Sequence, residues 1–217
     1  MGRELPIFIE TFTTLLAIIN PLEVLPVYIV LTADKDAAAQ RAIARHACLY
    51  ALALCYFFLA FGTLILRLFG VPLAMVRVAG GLILVRIGFS LFMPGGSGAD
   101  PIHAAAGPNA NIAFVPLAMP LMFGPGAIAT IVGMASTIHG WPEDLVAVAV
   151  LAAAILATML VTFACLANAR RLTRLLGPLG IDAATRIVGF FVSAIGVGLV
   201  FDGAIETLAA HGLSGLH

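Results

Sequence analysis

The twenty residues from Ala47 to Leu66 contain no charged side chain. A helix of that length rises about 30 Å, the thickness of bilayer hydrocarbon, so the stretch reads as a membrane crossing. Leu145 to Ala167 is a second uncharged run of the same kind. Across the 217 residues only 10% are charged and 62% are hydrophobic, whereas soluble domains carry roughly a quarter charged residues. An integral membrane protein follows, with the lipid bilayer as its first partner. Zero formal net charge argues against a nucleic-acid partner. Cys48, Cys55 and Cys165 all lie in apolar runs and read as small core residues rather than a disulfide or metal set.

Six segments are expected, so the fold class is all-α: 7–31, 47–66, 72–93, 112–138, 145–167 and 184–208. The first is too long for a signal peptide and lacks a small-x-small cleavage site. The halves of the chain echo one another. Asn20-Pro21 matches Gly124-Pro125, Leu66-Arg67-Leu68-Phe69-Gly70 matches Thr173-Arg174-Leu175-Leu176-Gly177, and Val76-Arg77-Val78-Ala79-Gly80 matches Thr185-Arg186-Ile187-Val188-Gly189. The reading is a first three-helix repeat over 1–93, a glycine- and proline-rich connecting loop over 94–111, and a second repeat over 112–217. An odd number of spans per repeat inserts the second copy upside down. Inverted repeats with interrupted helices at matching positions point to a secondary transporter's binding site.

Lysine and arginine set the orientation. Lys35, Arg41, Arg45, Arg170, Arg171, Arg174 and Arg186 fall on one side, against Arg3, Arg67 and Arg77 on the other. The positive-inside rule then places both termini outside the cytoplasm.

Segments one and four are expected to be broken or re-entrant. Pro21 has no N–H and cannot follow a full helical turn without a clash. Asn20 suits an N-cap, Pro21 the first helical position, and Glu23 the third, an Asn-x-x-Glu variant of the capping box. In segment four, Pro116, Pro120 and Gly124-Pro125-Gly126 interrupt an uncharged run. A helix start at membrane depth offers unpaired N–H groups and a positive dipole end, which attract an anion. Such irregular backbone must face protein or a water-filled cavity. Asn20, Pro21, Glu23, Gly124, Pro125 and Gly126 are therefore the candidate substrate-binding residues.

Glu23 has two readings. An intramembrane carboxylate is a functional-site hypothesis by default, yet at the third helical position it can simply reach back to the Asn20 N–H. Its counterpart in the second repeat is Ala127, so the carboxylate breaks the pseudo-symmetry. Arg77, Arg86, Arg186 and Asp202 are candidate supporting residues. For Arg77 and Arg186 the plain alternative is snorkelling or a salt bridge, with Asp182 or Asp202 as partners. For Arg86 it is a pair with Glu23 or Glu10. The histidines are scattered, and no metal-ligand spacing, nucleophile motif or phosphate loop is present. No metal and no cofactor are expected, apart from a coupling proton or sodium ion. Gly80, Gly81, Gly88, Gly189, Gly196 and Gly198 suit close helix packing.

The runs Asn20-Pro21-Leu22-Glu23-Val24-Leu25-Pro26, Pro120-Leu121-Met122-Phe123-Gly124-Pro125-Gly126-Ala127 and Arg77-Val78-Ala79-Gly80-Gly81 resemble the MarC family of bacterial and archaeal inner-membrane proteins. The resemblance extends over nearly the whole chain. It implies a six-span, multi-pass inner-membrane protein linked to transport of small neutral amino acids. The expected function is transport of a small zwitterion bound at half-helix N-termini near the bilayer midplane, with homo-oligomers compatible with the pattern. The alternatives are a passive small-solute channel, or an intramembrane enzyme using Glu23 as a base. The enzyme reading lacks a nucleophile or metal set.

Overall fold

The computed structural model describes residues 4–93, 111–136 and 145–210. Residues 94–110 of the expected connecting loop, 137–144 and 211–217 lie outside the described residues. The order is α1 (Glu4–Ile19), α2 (Pro21–Leu31), α3 (Ala37–Leu68), α4 (Leu73–Phe92), a broken segment (Ala113–Met122), α5 (Pro125–Ser136), α6 (Leu145–Ala167) and α7 (Ala169–Ala210). Every described element is helical.

Four helices are long and apolar enough to cross a membrane: Glu4–Leu25, Ala37–Leu68, Leu145–Ala167 and Leu179–Ala209. A fifth is added if the broken segment and α5 count as one bent span. The chain is thus an all-helical, multi-pass membrane protein. α4, which carries Arg77 and Arg86, stands outside that set.

The two interrupted segments differ. The first runs on as one candidate span through its break, because a single residue, Asn20, absorbs the interruption. The second bends by 61° between the broken segment and α5. That bend falls at residues 123–125, and the piece before it is itself interrupted by two prolines, Pro116 and Pro120. The residue before a proline is pushed out of the helical region, and Val115 (φ −121°, ψ 122°) and Met119 (φ −131°, ψ 124°) are both extended. Two of its bonds are wide-turned, from the Leu117 N–H to the Ile112 carbonyl and from the Phe123 N–H to the Ala118 carbonyl, while the Phe114 and Val115 N–H groups both donate to the Asn111 carbonyl.

Two helices extend beyond the expected apolar runs. α3 begins at Ala37 because the Asp36 carboxylate accepts a hydrogen bond from the Ala39 N–H at 2.7 Å, the preferred N-cap arrangement. α7 begins at Ala169 and is interrupted at Gly177 (φ 66°, ψ 172°), a conformation open to glycine and strained for other residues. That kink separates a basic stretch, holding Arg170, Arg171 and Arg174, from the apolar run that follows it.

α4 and α7 pack antiparallel along their glycines. A Cβ on Gly196 would lie 2.7 Å from the Gly81 carbonyl oxygen, and one on Gly189 would lie 2.8 Å from the Gly88 oxygen. At the far end a Cβ on Gly203 would lie 2.6 Å from the Ala74 oxygen. Such backbone approach is how helices associate in lipid, where hydrophobic burial gives little drive. Gly196→Ala is therefore expected to destabilise the purified protein by about 1–3 kcal/mol through overpacking. Gly198→Ala, whose Cβ meets nothing within 4 Å, should be neutral or stabilising by up to about 1 kcal/mol. Unfolding of both variants in detergent, followed by circular dichroism, checks the contrast.

Candidate functional site

The break between α1 and α2 is built from one residue. Asn20 is left-handed (φ 42°, ψ 77°) and only 1% exposed. Its N–H donates to the Leu16 carbonyl at 3.0 Å, closing α1. Its carbonyl accepts from the Glu23 N–H at 3.0 Å and the Val24 N–H at 3.3 Å, opening α2. The expected capping box does not form, because the Asn20 N–H that Glu23 was to satisfy is already bonded to Leu16. The Asn20 side chain makes no capping bond either. Its Nδ2 is a buried donor without a hydrogen-bond partner. The half-buried Glu23 carboxylate is the group in interaction range of that side chain, although hydrogen-bond geometry is not reached.

The second break lies against the first. α5 opens with the Gly124 carbonyl accepting from the Ile128 N–H at 3.1 Å. A Cβ on Gly126 would overlap the Leu84 side chain of α4 and come within 3.5 Å of Ile18 Cγ2. The glycine makes room for the Leu84 side chain of α4, while toward the end of α1 the spacing is that of ordinary van der Waals contact. The surroundings are apolar and closed: Ile19 and Met122 are 1% exposed, and Phe123 and Ala127 are 0% exposed. A buried amide with an unused donor in such a setting costs about 1–3 kcal/mol, and unpaired groups of this kind call for an explanation.

Two cavities flank the breaks. One, about 240 Å³, is lined by Tyr28, Thr32, Gln40, Arg41, Arg170 and Arg171 among others. There α2 is tied to the start of α3: the Tyr28 hydroxyl donates to the Gln40 carbonyl, and Gln40 Nε2 donates to the Thr32 carbonyl, each at 2.7 Å. The other cavity, about 1160 Å³, is walled by α1, α4, α5, α6 and α7. α6 lines the large cavity as far as Leu151 and the small one from Leu166, so about 22 Å of that helix separates the two. Asn20, Pro21, Glu23, Gly124 and Gly126 line neither. The breaks form a closed septum between an arginine-rich end and a carboxylate-rich end.

The supporting residues sit away from the septum. Arg77 pairs with Glu206 at 2.6 Å, not with Asp202. Arg186 pairs with Asp182 at 2.8 Å and donates to the Phe92 carbonyl at 3.4 Å. The matched arginines thus tie α4 to α7 at opposite ends of that pair. Asp202 lines the large cavity. Arg86 does not pair with Glu23 or Glu10 among the described residues. It is exposed on the stripe of α4 that also bears Met75, Leu82 and Phe89, because the opposite stripe, with Gly81, Leu84 and Gly88, is committed to packing. Its long stem lets the guanidinium snorkel toward the nearer helix end.

Sequence reasoning missed Thr130, whose buried hydroxyl has no partner, and the Tyr28–Gln40 tie. A threonine or tyrosine in an apolar helix gives no signal until the fold surrounds it. Among the described residues no group of three or more histidine, cysteine or acidic side chains could hold a metal ion.

The helices, the interrupted segments and the closed septum define a multi-pass integral membrane protein with a buried polar break. The model of the MarC family of integral membrane proteins matches residues 5–208, and the chain belongs to that family. It is 33% identical over 207 residues to the UPF0056 inner membrane protein MarC of Salmonella typhimurium, covering 91% of this chain and 93% of the relative. It is 35% identical over 205 residues to the UPF0056 membrane protein MJ1677 of Methanocaldococcus jannaschii, covering 92% and 97%. These likenesses agree with a multi-pass inner-membrane protein. No solved structure matches the chain.

Proposed function

We propose that the protein transports a small neutral amino acid, bound where the two breaks meet. The observation that carries this reading is Asn20: a buried amide with an unpaired donor, at the one residue that ends α1 and starts α2, two residues from Ile18, which lies beside Gly126 of the second break. A carboxylate placed there would receive the Asn20 Nδ2–H and the first-turn N–H groups of a half-helix. Glu23, one turn away, would receive the amine or carry a coupling proton. Cavities on both sides of a closed septum suit alternating access, in which the substrate is reached from one side at a time.

The six-span inverted repeat belongs to the same reading. It is supported by the matched arginines, which serve opposite ends of the α4–α7 pair, and by the antiparallel packing of those helices. α4, at 20 residues, reaches about 30 Å and completes the first repeat as a crossing. The arginine-rich end then faces the cytoplasm and both termini lie outside. A counterflow screen tests the substrate class. Proteoliposomes preloaded with unlabelled glycine, alanine or serine are expected to trap labelled alanine well above vesicles preloaded with glutamate, lysine or acetate. Equal trapping for every preload overturns the reading.

A further inference from the structure

The large cavity contains an anomaly that the septum does not explain. Seven hydroxyl side chains return their proton to the carbonyl four residues back: Thr13 to Ile9, Thr32 to Tyr28, Thr158 to Ala154, Thr162 to Thr158, Thr173 to Ala169, Ser193 to Gly189 and Thr207 to Gly203. Ser136 reaches Gly133 instead, and Thr11, Thr14, Thr63 and Thr185 make no such bond but keep their oxygens from full burial. That back-bond is the ordinary way a helix satisfies such a group. Thr130 does not make it. Its residue is only 5% exposed, its Oγ1 has no partner, and it lines the cavity. A buried hydroxyl that forgoes its own helix is available to a ligand.

The rest of the lining says which ligand. Deep in the cavity, Thr11, Ala129, Thr130 and Leu151 are each at most 5% exposed and none is ionisable. The rim holds Glu4, which has a partner of its own, the exposed Glu10 and Asp202, neither in an ion pair among the described residues, and the Arg77–Glu206 pair, which is neutral as a unit. The field at the mouth is therefore negative. A cleft lined by one sign of charge and walled by apolar side chains concentrates ions of the other sign. An ammonium group fits both parts. It is drawn in by Glu10 and Asp202, and it donates to the hydroxyl oxygen of Thr130.

We propose that this cavity is a vestibule for a small primary-ammonium compound, with Thr130 as the hydrogen-bonding group of a subsite separate from the septum. The inference rests on the transport reading, since it supplies the step at which an amino acid is first held, amine inward, before it reaches the breaks.

The test uses the full chain with its three native cysteines replaced and Gly133→Cys introduced, on the same wall as Thr130 and with nothing within 4 Å of its Cβ. A trimethylammonium-ethyl methanethiosulfonate is expected to label that cysteine about tenfold faster than its sulfonatoethyl counterpart at low salt. Adding Glu10→Gln and Asp202→Asn should bring the two rates to within about threefold. Alaninamide, which keeps the amine and lacks the carboxylate, should slow labelling, and N-acetylalanine, which lacks the amine, should not. Adding Thr130→Val, which removes the hydroxyl at nearly the same shape, should abolish the alaninamide protection, and protection that persists unchanged overturns the role of Thr130. Equal labelling rates for the two reagents, or protection by N-acetylalanine alone, overturn the vestibule. Alaninamide protection that survives in Asn20→Gly supports a subsite independent of the breaks. Amino-acid uptake by the wild type without alaninamide protection overturns the subsite and leaves the transport reading standing.

Discussion

Asn20→Gly is expected to fold as well as the wild type, or better, and to lose amino-acid uptake by at least tenfold. The two halves of that result come from separate features of one residue. Its backbone is left-handed (φ 42°), a conformation glycine adopts freely. The two carbonyl contacts that open α2 and the N–H contact that closes α1 are backbone bonds and survive the change. What is removed is a buried side-chain amide with an unpartnered Nδ2, whose burial costs about 1–3 kcal/mol. Glycine's extra chain entropy costs about 0.5–1 kcal/mol in return, so net stability should change by no more than about 1–2 kcal/mol, most plainly upward. If the amide serves only the fold, stability falls and uptake per folded molecule persists. Melting in detergent and uptake into proteoliposomes, on the same preparation, separate the cases. Asn20→Ala is the weaker variant, because a Cβ with no amide strains the left-handed backbone by about 1–2 kcal/mol and mixes the two effects.

Glu23→Gln is expected to leave the fold intact and to reduce gradient-driven uptake by at least tenfold, with exchange of internal for external alanine persisting if the residue carries the coupling proton. The structure sharpens this prediction by removing the alternative the sequence left open. Were Glu23 a cap, glutamine would replace it almost without loss, since either can accept one hydrogen bond. The cap's intended donor, the Asn20 N–H, is bonded to Leu16 at 3.0 Å. A carboxylate held in a membrane segment without that role is costly, and its counterpart Ala127 is fully buried, so the second repeat has no such group. Wild-type uptake by Glu23→Gln at every pH would assign coupling and amine recognition to other residues.

Much of this arrangement is legible in the residues. Uncharged length marks 145–167, which is α6 to the residue. Pro21, Pro116, Pro120 and Gly124-Pro125-Gly126 locate both interruptions, because a missing N–H and a missing Cβ act locally whatever the surroundings. The matched Arg77 and Arg186 anticipate partners on the α4–α7 pair. Less legible is what depends on how a backbone resolves a conflict. An Asn-x-x-Glu run specifies a capping box when the N-cap is extended. Here the chain keeps its direction by turning Asn20 left-handed, and the N–H goes back to α1. The start of α3 at Ala37 rests on Asp36, a short-range signal within the sequence but outweighed by the charge of the loop around it. The vestibule and Thr130 could not be read at all. Five helices wall that cavity, and a hydroxyl's failure to bond its own helix has no counterpart in sequence.

A small amino acid moved actively through the closed septum at Asn20 and Gly126 would be accumulated against its own gradient. The most direct measurement is accumulation of labelled alanine by sealed proteoliposomes of the wild-type protein, with an inward proton gradient, an inward sodium gradient, or neither. The account predicts uptake that saturates with alanine concentration and, under one of the two gradients, an internal concentration several-fold above the external one that collapses when the gradient is dissipated. Uptake that rises linearly and stops at equal concentrations under both gradients, or that does not exceed empty vesicles, would contradict it.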